Sequence, residues 1–82
     1  MRLCERSVVM KDQIKELIAV GASVTANCQP CLEYHVQEAQ KFGADEESIR
    51  EAIEVGQMVK KGAMREYNEF IPTVFETAKK SD

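Results

Sequence analysis

Apolar side chains recur every three or four residues through nearly the whole of this chain, which is the spacing of an amphipathic helix rather than of a strand. Only four glycines and two prolines interrupt the pattern in 82 residues. The sequence therefore predicts an all-α fold, a small bundle of about four helices, and we assign residues 1–82 to a single domain.

The predicted first helix runs from about Ser7 or Met10 to Asn27. Asn27 is a favourable N-cap for a second helix, which opens with Cys28 and is expected to end at Gly43. The expected buried stripe of the first helix consists of Met10, Ile14, Leu17, Ile18, Gly21 and Val24.

Asp45 is a favourable N-cap for the third helix, with Glu46 and Glu47 in its first turn. Gly62 predicts a break or a close contact, and Pro72 predicts a kink or a restart in the last helix. The third helix carries the apolar stripe Ile49, Ala52, Ile53, Gly56, Val59 and Ala63, and the last carries Tyr67, Phe70, Ile71, Val74, Phe75 and Ala78. We expect core or subunit-interface positions for Met58, Met64, Phe70 and Phe75.

The segment Cys28-Gln-Pro-Cys31-Leu-Glu-Tyr-His35 places two thiols and an imidazole at positions i, i+3 and i+7, along one face of a helix. Pro30 is tolerated there, because the first turn of a helix has no intrahelical partner for the missing N–H. Cys28 lies at the helix start, where the macrodipole favours a thiolate, and Cys31 lies one turn before a base. Cys31 is the candidate attacking thiol and Cys28 the candidate resolving thiol.

An imidazole acts best as a base when a carboxylate orients it, and Glu16 is the candidate partner of His35. At 1.5 Å per residue, Glu16 lies about 16 Å before the end of the first helix and His35 about 10 Å into the second. If the two helices fold back on one another, the carboxylate comes to within about a turn of the imidazole.

Glu16, eleven intervening residues, Cys28-x2-Cys31 and x3-His35 together resemble the E-x11-C-x2-C-x3-H signature of the alkylhydroperoxidase D branch of the carboxymuconolactone decarboxylase family. The resemblance extends over residues 14–63. It implies an alkylhydroperoxidase D-like helical fold and a thiol-dependent peroxidase, an alkylhydroperoxidase-type antioxidant, that cycles through a disulfide between Cys28 and Cys31.

The resemblance also implies a role for each residue of the signature. Cys31 attacks the peroxide and Cys28 closes the disulfide, while His35 and Glu16 relay protons. The implied partners are a hydroperoxide or small disulfide substrate and a dithiol reductant protein, and the implied assembly is a trimer or hexamer. Decarboxylation is not expected, because true carboxymuconolactone decarboxylases share the fold without using this cysteine pair.

Size points to self-association on separate grounds. A chain of 82 residues buries only about 60% of the surface that its unfolded form exposes, so it is marginal as a monomer. With at most one disulfide from the close cysteine pair, self-association is the simplest source of added stability. We therefore expect a homo-oligomer.

Charge and hydropathy exclude two classes of partner. Acidic and basic residues are interspersed, with a net charge of -3, whereas nucleic-acid binding needs a clustered basic surface. The pairs Lys60-Lys61 and Lys79-Lys80 are too short for that, and we expect them at solvated helix ends. The longest weakly apolar run is too short for a membrane span, and residues 1–10 do not read as a signal peptide, so we expect a cytoplasmic protein.

Alternatives remain open for the cysteine pair. Pro30 directly before Cys31 also resembles the C-x-P-C of thioredoxin, which favours a thiol-disulfide oxidoreductase without peroxide preference. A zinc-binding module is the other alternative, with three thiolates and one imidazole from Cys4, Cys28, Cys31 and His35. The main interpretation includes no metal and no cofactor, and c-type haem is excluded because Leu32 stands where C-x2-C-H requires histidine.

Overall fold

The structure, a computed structural model, describes residues 9–80 and the side chains of residues 9–78. Within that range lie four helices and no strand, which confirms the all-α prediction: α1 (Asp12–Thr25), α2 (Gln29–Lys41), α3 (Glu46–Phe70) and α4 (Thr73–Lys80). None of the described helices has the length and apolar character that crossing a membrane requires.

Helix α1 starts later than predicted. Its N-cap is Lys11, whose side chain makes no capping hydrogen bond, and Met10 precedes the helix. Ser7, the other predicted start, lies outside the described residues. Helix α3 starts as predicted, because the Asp45 carboxylate accepts a 2.8 Å hydrogen bond from the backbone N–H of Ser48.

Gly43 ends α2 in the left-handed conformation, with φ of 94°, as the sequence predicted. The backbone N–H of Gly43 donates to the carbonyl of Gln40, and that of Ala44 donates to the carbonyl of Ala39. This is a Schellman motif, and both of its alanines are buried. The turn therefore reverses the chain after α2 and leads into α3, which packs against α1.

Helix α1 packs against both α2 and α3, and the core lies where the three meet. Val20 is fully buried there and Ser23 nearly so, whereas Ile14 and Ile18 of the predicted stripe are 45% and 56% exposed. Contact with two neighbours centres the buried face of α1 on Val20, which explains the difference. The rest of the core consists of Ala39, Ala44 and Ile49, with Leu17, Leu32, Val36, Ala52 and Ile53 packed against it.

Two glycines let α1 and α3 approach closely. A Cβ added at Gly56 would lie 3.0 Å from Cβ of Val24 and would clash with the carbonyl oxygen of Gly21. The hydroxyl of Thr25 donates a 2.9 Å hydrogen bond to the carbonyl of Gly56 across the same crossing. The predicted stripe of α3 is correct at Ile49 and Gly56, which are both buried.

The second half of α3 and all of α4 extend away from this core. Gly62 causes no break in α3 and no close contact, since the nearest atom to an added Cβ is the Arg65 guanidinium at 4.0 Å. Pro72 marks a restart, as predicted, between the end of α3 and the start of α4. The apolar side chains of this segment are exposed, including Met64, Tyr67, Phe70, Ile71, Val74 and Phe75.

Candidate redox site

The connection between α1 and α2 is a second Schellman motif, centred on Asn27. Asn27 has φ of 59°, the left-handed conformation that asparagine adopts more readily than most residues. Its N–H donates to the carbonyl of Val24, and the N–H of Cys28 donates to the carbonyl of Ser23, at 3.1 and 3.0 Å. The prediction that Asn27 is the N-cap of α2 is therefore wrong. Asn27 is instead the left-handed residue that ends α1.

Cys28 itself is the N-cap of α2. Its sulfur accepts a hydrogen bond of 3.3 Å from the backbone N–H of Cys31, the place that an oxygen acceptor usually takes. Pro30 lies in the first turn, where it costs no intrahelical hydrogen bond. The two cysteines form a disulfide with 5.2 Å between their Cα atoms. The pair can therefore close without unwinding the helix.

Glu16 of α1 and His35 of α2 form an ion-pair contact of 2.7 Å between Oε1 and Nδ1. A carboxylate only accepts hydrogen bonds, so Nδ1 carries the proton and Nε2 is the nitrogen left to act as a base. Both side chains are mostly buried, with 29% of His35 and 21% of Glu16 exposed. The ring of Tyr34 packs edge-on against the imidazole, with 5.0 Å between the ring centres. The imidazole is thus held from two sides.

The four predicted site residues lie on two facing stretches of helix. Cys28 and Cys31 occupy the start of α2. His35 follows Cys31 by four residues, so the side chains of Cys31 and His35 lie on one face of α2, about 6 Å apart along the helix axis. Glu16 reaches that face from α1. This arrangement can deliver a proton to, or remove one from, a sulfur at the helix start.

A cleft of about 340 Å³ opens beside Cys28, between the end of α1, the start of α2 and α3. Lys60 of α3 lines it, and its Nζ donates a hydrogen bond to the side-chain oxygen of Asn27. Lys60 and Lys61 were predicted at a solvated helix end, but they lie in the interior of α3. The sequence carried a signal for this position of Lys60. Lys60 follows Gly56 by four residues, so the two lie on the same face of α3, the face that meets α1.

Cys4, the remaining ligand of the zinc alternative, lies outside the described residues. Among the residues that the structure describes, no three or more His, Cys, Asp or Glu side chains are grouped to hold a metal ion. The zinc alternative therefore stays a prediction that depends on residues 1–8.

Comparisons with known proteins identify a curated relative and a family. Over 49 residues the chain is 43% identical to "Uncharacterized protein 4 in cox locus" of Paracoccus denitrificans. That match covers 60% of this chain and 44% of the relative, so the chain spans less than half of the relative's length. No solved structure matches the chain. The model of the carboxymuconolactone decarboxylase family matches residues 11–66, which include the cysteine pair, His35 and Glu16, and the chain belongs to that family.

Proposed function

We propose that this protein is a thiol-dependent peroxidase that cycles between the dithiol and disulfide forms of Cys28 and Cys31. The observation that carries the proposal is a cysteine pair able to form a disulfide at the start of α2, on the helix whose imidazole contacts a mostly buried carboxylate. A purely structural disulfide requires no base at this spacing. The whole protein's activity is proposed from these residues and not from any relative.

In the first step, the thiolate of Cys31 attacks one oxygen of a hydroperoxide. The O–O bond breaks, Cys31 becomes a sulfenic acid, and the other oxygen leaves as an alkoxide that takes up a proton. His35 is the proton carrier at this point, because it follows Cys31 by one helical turn.

In the second step, the thiol of Cys28 attacks the sulfenic sulfur of Cys31. The S–O bond breaks, water leaves, and the disulfide forms. Cys28 is close enough because its sulfur already lies against the backbone of Cys31 at the N-cap. A dithiol reductant, or two molecules of a monothiol, then restores both thiols and is itself oxidised to a disulfide.

Glu16 acts on the imidazole and not on the peroxide. Its carboxylate fixes the proton on Nδ1, which leaves Nε2 to exchange a proton with the cysteines. Glu16 is therefore a positioning residue in this proposal.

We also propose that the active form is a homo-oligomer, a trimer or hexamer. The described chain has a radius of gyration of 17.9 Å, against about 12 Å for a compact domain of this length. An apolar groove of about 430 Å³ between α1 and α3 is open, and the apolar side of α4 has no partner among α1 and α2. Subunits that cover these surfaces would supply the missing core.

The alternative function is disulfide exchange without a preference for peroxide. This alternative is supported by the position of Cys28, which lines an open cleft. A thiol in that cleft can reach one sulfur of the disulfide directly. Pro30 before Cys31 supports the same alternative by its likeness to the C-x-P-C of thioredoxin.

A thiol titration tests the proposal in a Cys4→Ser background, where only the paired cysteines remain. Reduced protein is mixed with cumene hydroperoxide, and free thiols are counted over time. Two thiols are lost in the parent, Cys28→Ser accumulates a sulfenic acid that dimedone labels at Cys31, and Cys31→Ser reacts far more slowly. Thiols that persist under excess peroxide overturn the peroxidase, and rapid oxidation by a small disulfide alone supports the alternative.

A further inference from the structure

The two sulfurs of the disulfide have different surroundings. Cys28 lines the cleft between α1, α2 and α3, whereas Cys31 is not among the residues that line it. A molecule seated in the cleft therefore meets the sulfur of Cys28 first. Thiol-disulfide exchange depends on which sulfur the attacking thiolate can reach.

Of the residues 9–78 that line the cleft, a single one carries a charge, and that charge is positive. Lys60 lines the cleft together with neutral polar groups that include Asn27 and Gln57. Its described partner is the neutral amide oxygen of Asn27. Within residues 9–78, the ion pairs are His35–Glu16 and Arg50–Glu46, and Lys60 belongs to neither. The chain as a whole has a net charge of -3, so the positive charge of this cleft differs in sign from the charge of the whole chain.

The remaining walls of the cleft are apolar, formed by Val24, Leu32 and Ile53. Its volume of about 340 Å³ suits a small organic molecule. An apolar wall with one fixed cation recognises a short hydrocarbon that ends in an anion.

We propose that this cleft binds a small thiol that carries a carboxylate, that Lys60 selects the carboxylate, and that the bound thiolate attacks Cys28. The inference rests on the proposed disulfide cycle and names the ligand of its reductive half. Lys60 is a specificity residue in this step and takes no part in the peroxide reaction.

The chemistry balances with the thiol as the reductant. Its thiolate attacks Sγ of Cys28, the S–S bond breaks, a mixed disulfide forms on Cys28, and Cys31 leaves as a thiolate. A second thiol, from the same molecule or another, displaces Cys28 and leaves as the oxidised disulfide. Two electrons and two protons pass from the two thiols to the cysteine pair.

Attack at Cys28 frees the sulfur that the peroxide step needs. Cys31 emerges as a thiolate one turn before His35, and the imidazolium can return a proton to it or stabilise it. Attack at Cys31 would instead free Cys28 and leave the reactive cysteine blocked.

The test compares 3-mercaptopropionate with its neutral amide as reductants of oxidised protein in the Cys4→Ser background. The rate of disulfide reduction is measured for both thiols, corrected for thiolate fraction, and expressed as a ratio. We expect Lys60→Met to lower the anion-to-amide ratio by about threefold, since one partly exposed ion pair is lost. Lys60→Arg should retain the ratio, and salt should reduce it in the parent.

Lys61→Met is the matched control, because it removes the same charge one residue along α3 from a side chain that does not line the cleft. Its ratio should equal that of the parent. The site of attack is read by quenching with iodoacetamide after a brief exposure to 3-mercaptopropionate. Mass mapping should find the mercaptopropionate adduct on Cys28 and the alkyl group on Cys31.

The results separate the inference from the proposed function. A ratio that Lys60→Met leaves unchanged, or that Lys61→Met lowers equally, overturns the role of Lys60. An adduct on Cys31 overturns attack at Cys28. Either result leaves the peroxide titration intact, whereas a disulfide that neither thiol reduces overturns the disulfide cycle and the inference with it.

Discussion

The carboxylate of Glu16 lies 2.7 Å from the imidazole of His35, although 19 residues separate them in the chain. The contact joins α1 to α2 across the turn that also carries the cysteine pair. Because that turn is fixed by two backbone hydrogen bonds around Asn27, the distance between carboxylate and imidazole is set by the fold.

Replacing this carboxylate by an amide tests the relay. We expect Glu16→Gln to slow thiol oxidation by roughly tenfold or more, because an amide can donate to the imidazole as well as accept from it and so no longer fixes the proton on Nδ1. The measurement is the rate of thiol loss under cumene hydroperoxide from about pH 5 to pH 9.

Glu33→Gln is the matched control, since it removes an exposed carboxylate from the same helix as His35. Its profile should match that of the parent. A Glu16→Gln profile that also matches the parent would remove Glu16 from the site.

The closeness of α1 and α3 leads to a prediction about stability. Gly56→Ala should destabilise the protein by about 1–3 kcal/mol, because the added Cβ meets the backbone of Gly21 and the side chain of Val24. Urea unfolding followed by circular dichroism measures the change.

Gly62→Ala is the control on the same helix. An added Cβ there has open space, so the higher helix propensity of alanine should stabilise the protein by up to about 1 kcal/mol. Equal effects of the two substitutions would contradict the tight crossing at Gly56.

The sequence predicted the contact between Glu16 and His35 better than the turn beside it. Helical spacing brings Glu16 to within about a turn of His35 if α1 and α2 fold back on one another, but many acidic residues meet such a condition, and the family signature was needed to select Glu16. The turn was harder to predict, since asparagine suits both an N-cap and a left-handed residue. The hydrogen bonds that the carbonyls of Ser23 and Val24 accept hold Asn27 in the left-handed conformation, and the sulfur of Cys28 then caps α2.

The fold was predictable as far as helix type and number, but burial was not. Periodicity identifies an apolar face without saying which helix covers it, so Ile18 was expected inside and is 56% exposed. The same limit applies to Phe75, which belongs to a regular stripe yet is 71% exposed and does not pack against the core formed by the described residues. Lys60 was misplaced because only the crossing at Gly56 brings α3 against Asn27.

Asp45 predicts a pH dependence of stability. The hydrogen bond that its carboxylate accepts from the backbone N–H of Ser48 lowers the pKa of Asp45. The folded state therefore binds the proton less tightly than the unfolded state does. The stabilisation that the Asp45 carboxylate contributes is complete above the ordinary aspartate pKa of about 3.9. It is lost as pH falls through the lowered pKa of the folded state.

The comparison variant is Asp45→Asn, which keeps a capping side chain without a charge. The difference in unfolding free energy between parent and variant should stay constant from about pH 7 to pH 5 and shrink below about pH 4. A difference that grows on acidification has the wrong sign and would contradict a lowered pKa.

Helix α4 provides a test of the proposed assembly. Phe75 is 71% exposed and belongs to an apolar stripe that has no partner among α1 and α2. If a second subunit covers that stripe, Phe75→Lys places a charge in the interface and should shift the protein to a smaller species. Glu76→Lys is the control on the same exposed helix, and it should leave the mass unchanged. Size-exclusion chromatography with light scattering, over a range of concentrations, gives the mass. A parent that is monomeric throughout, or two variants that keep the parent's mass, would contradict an interface at α4.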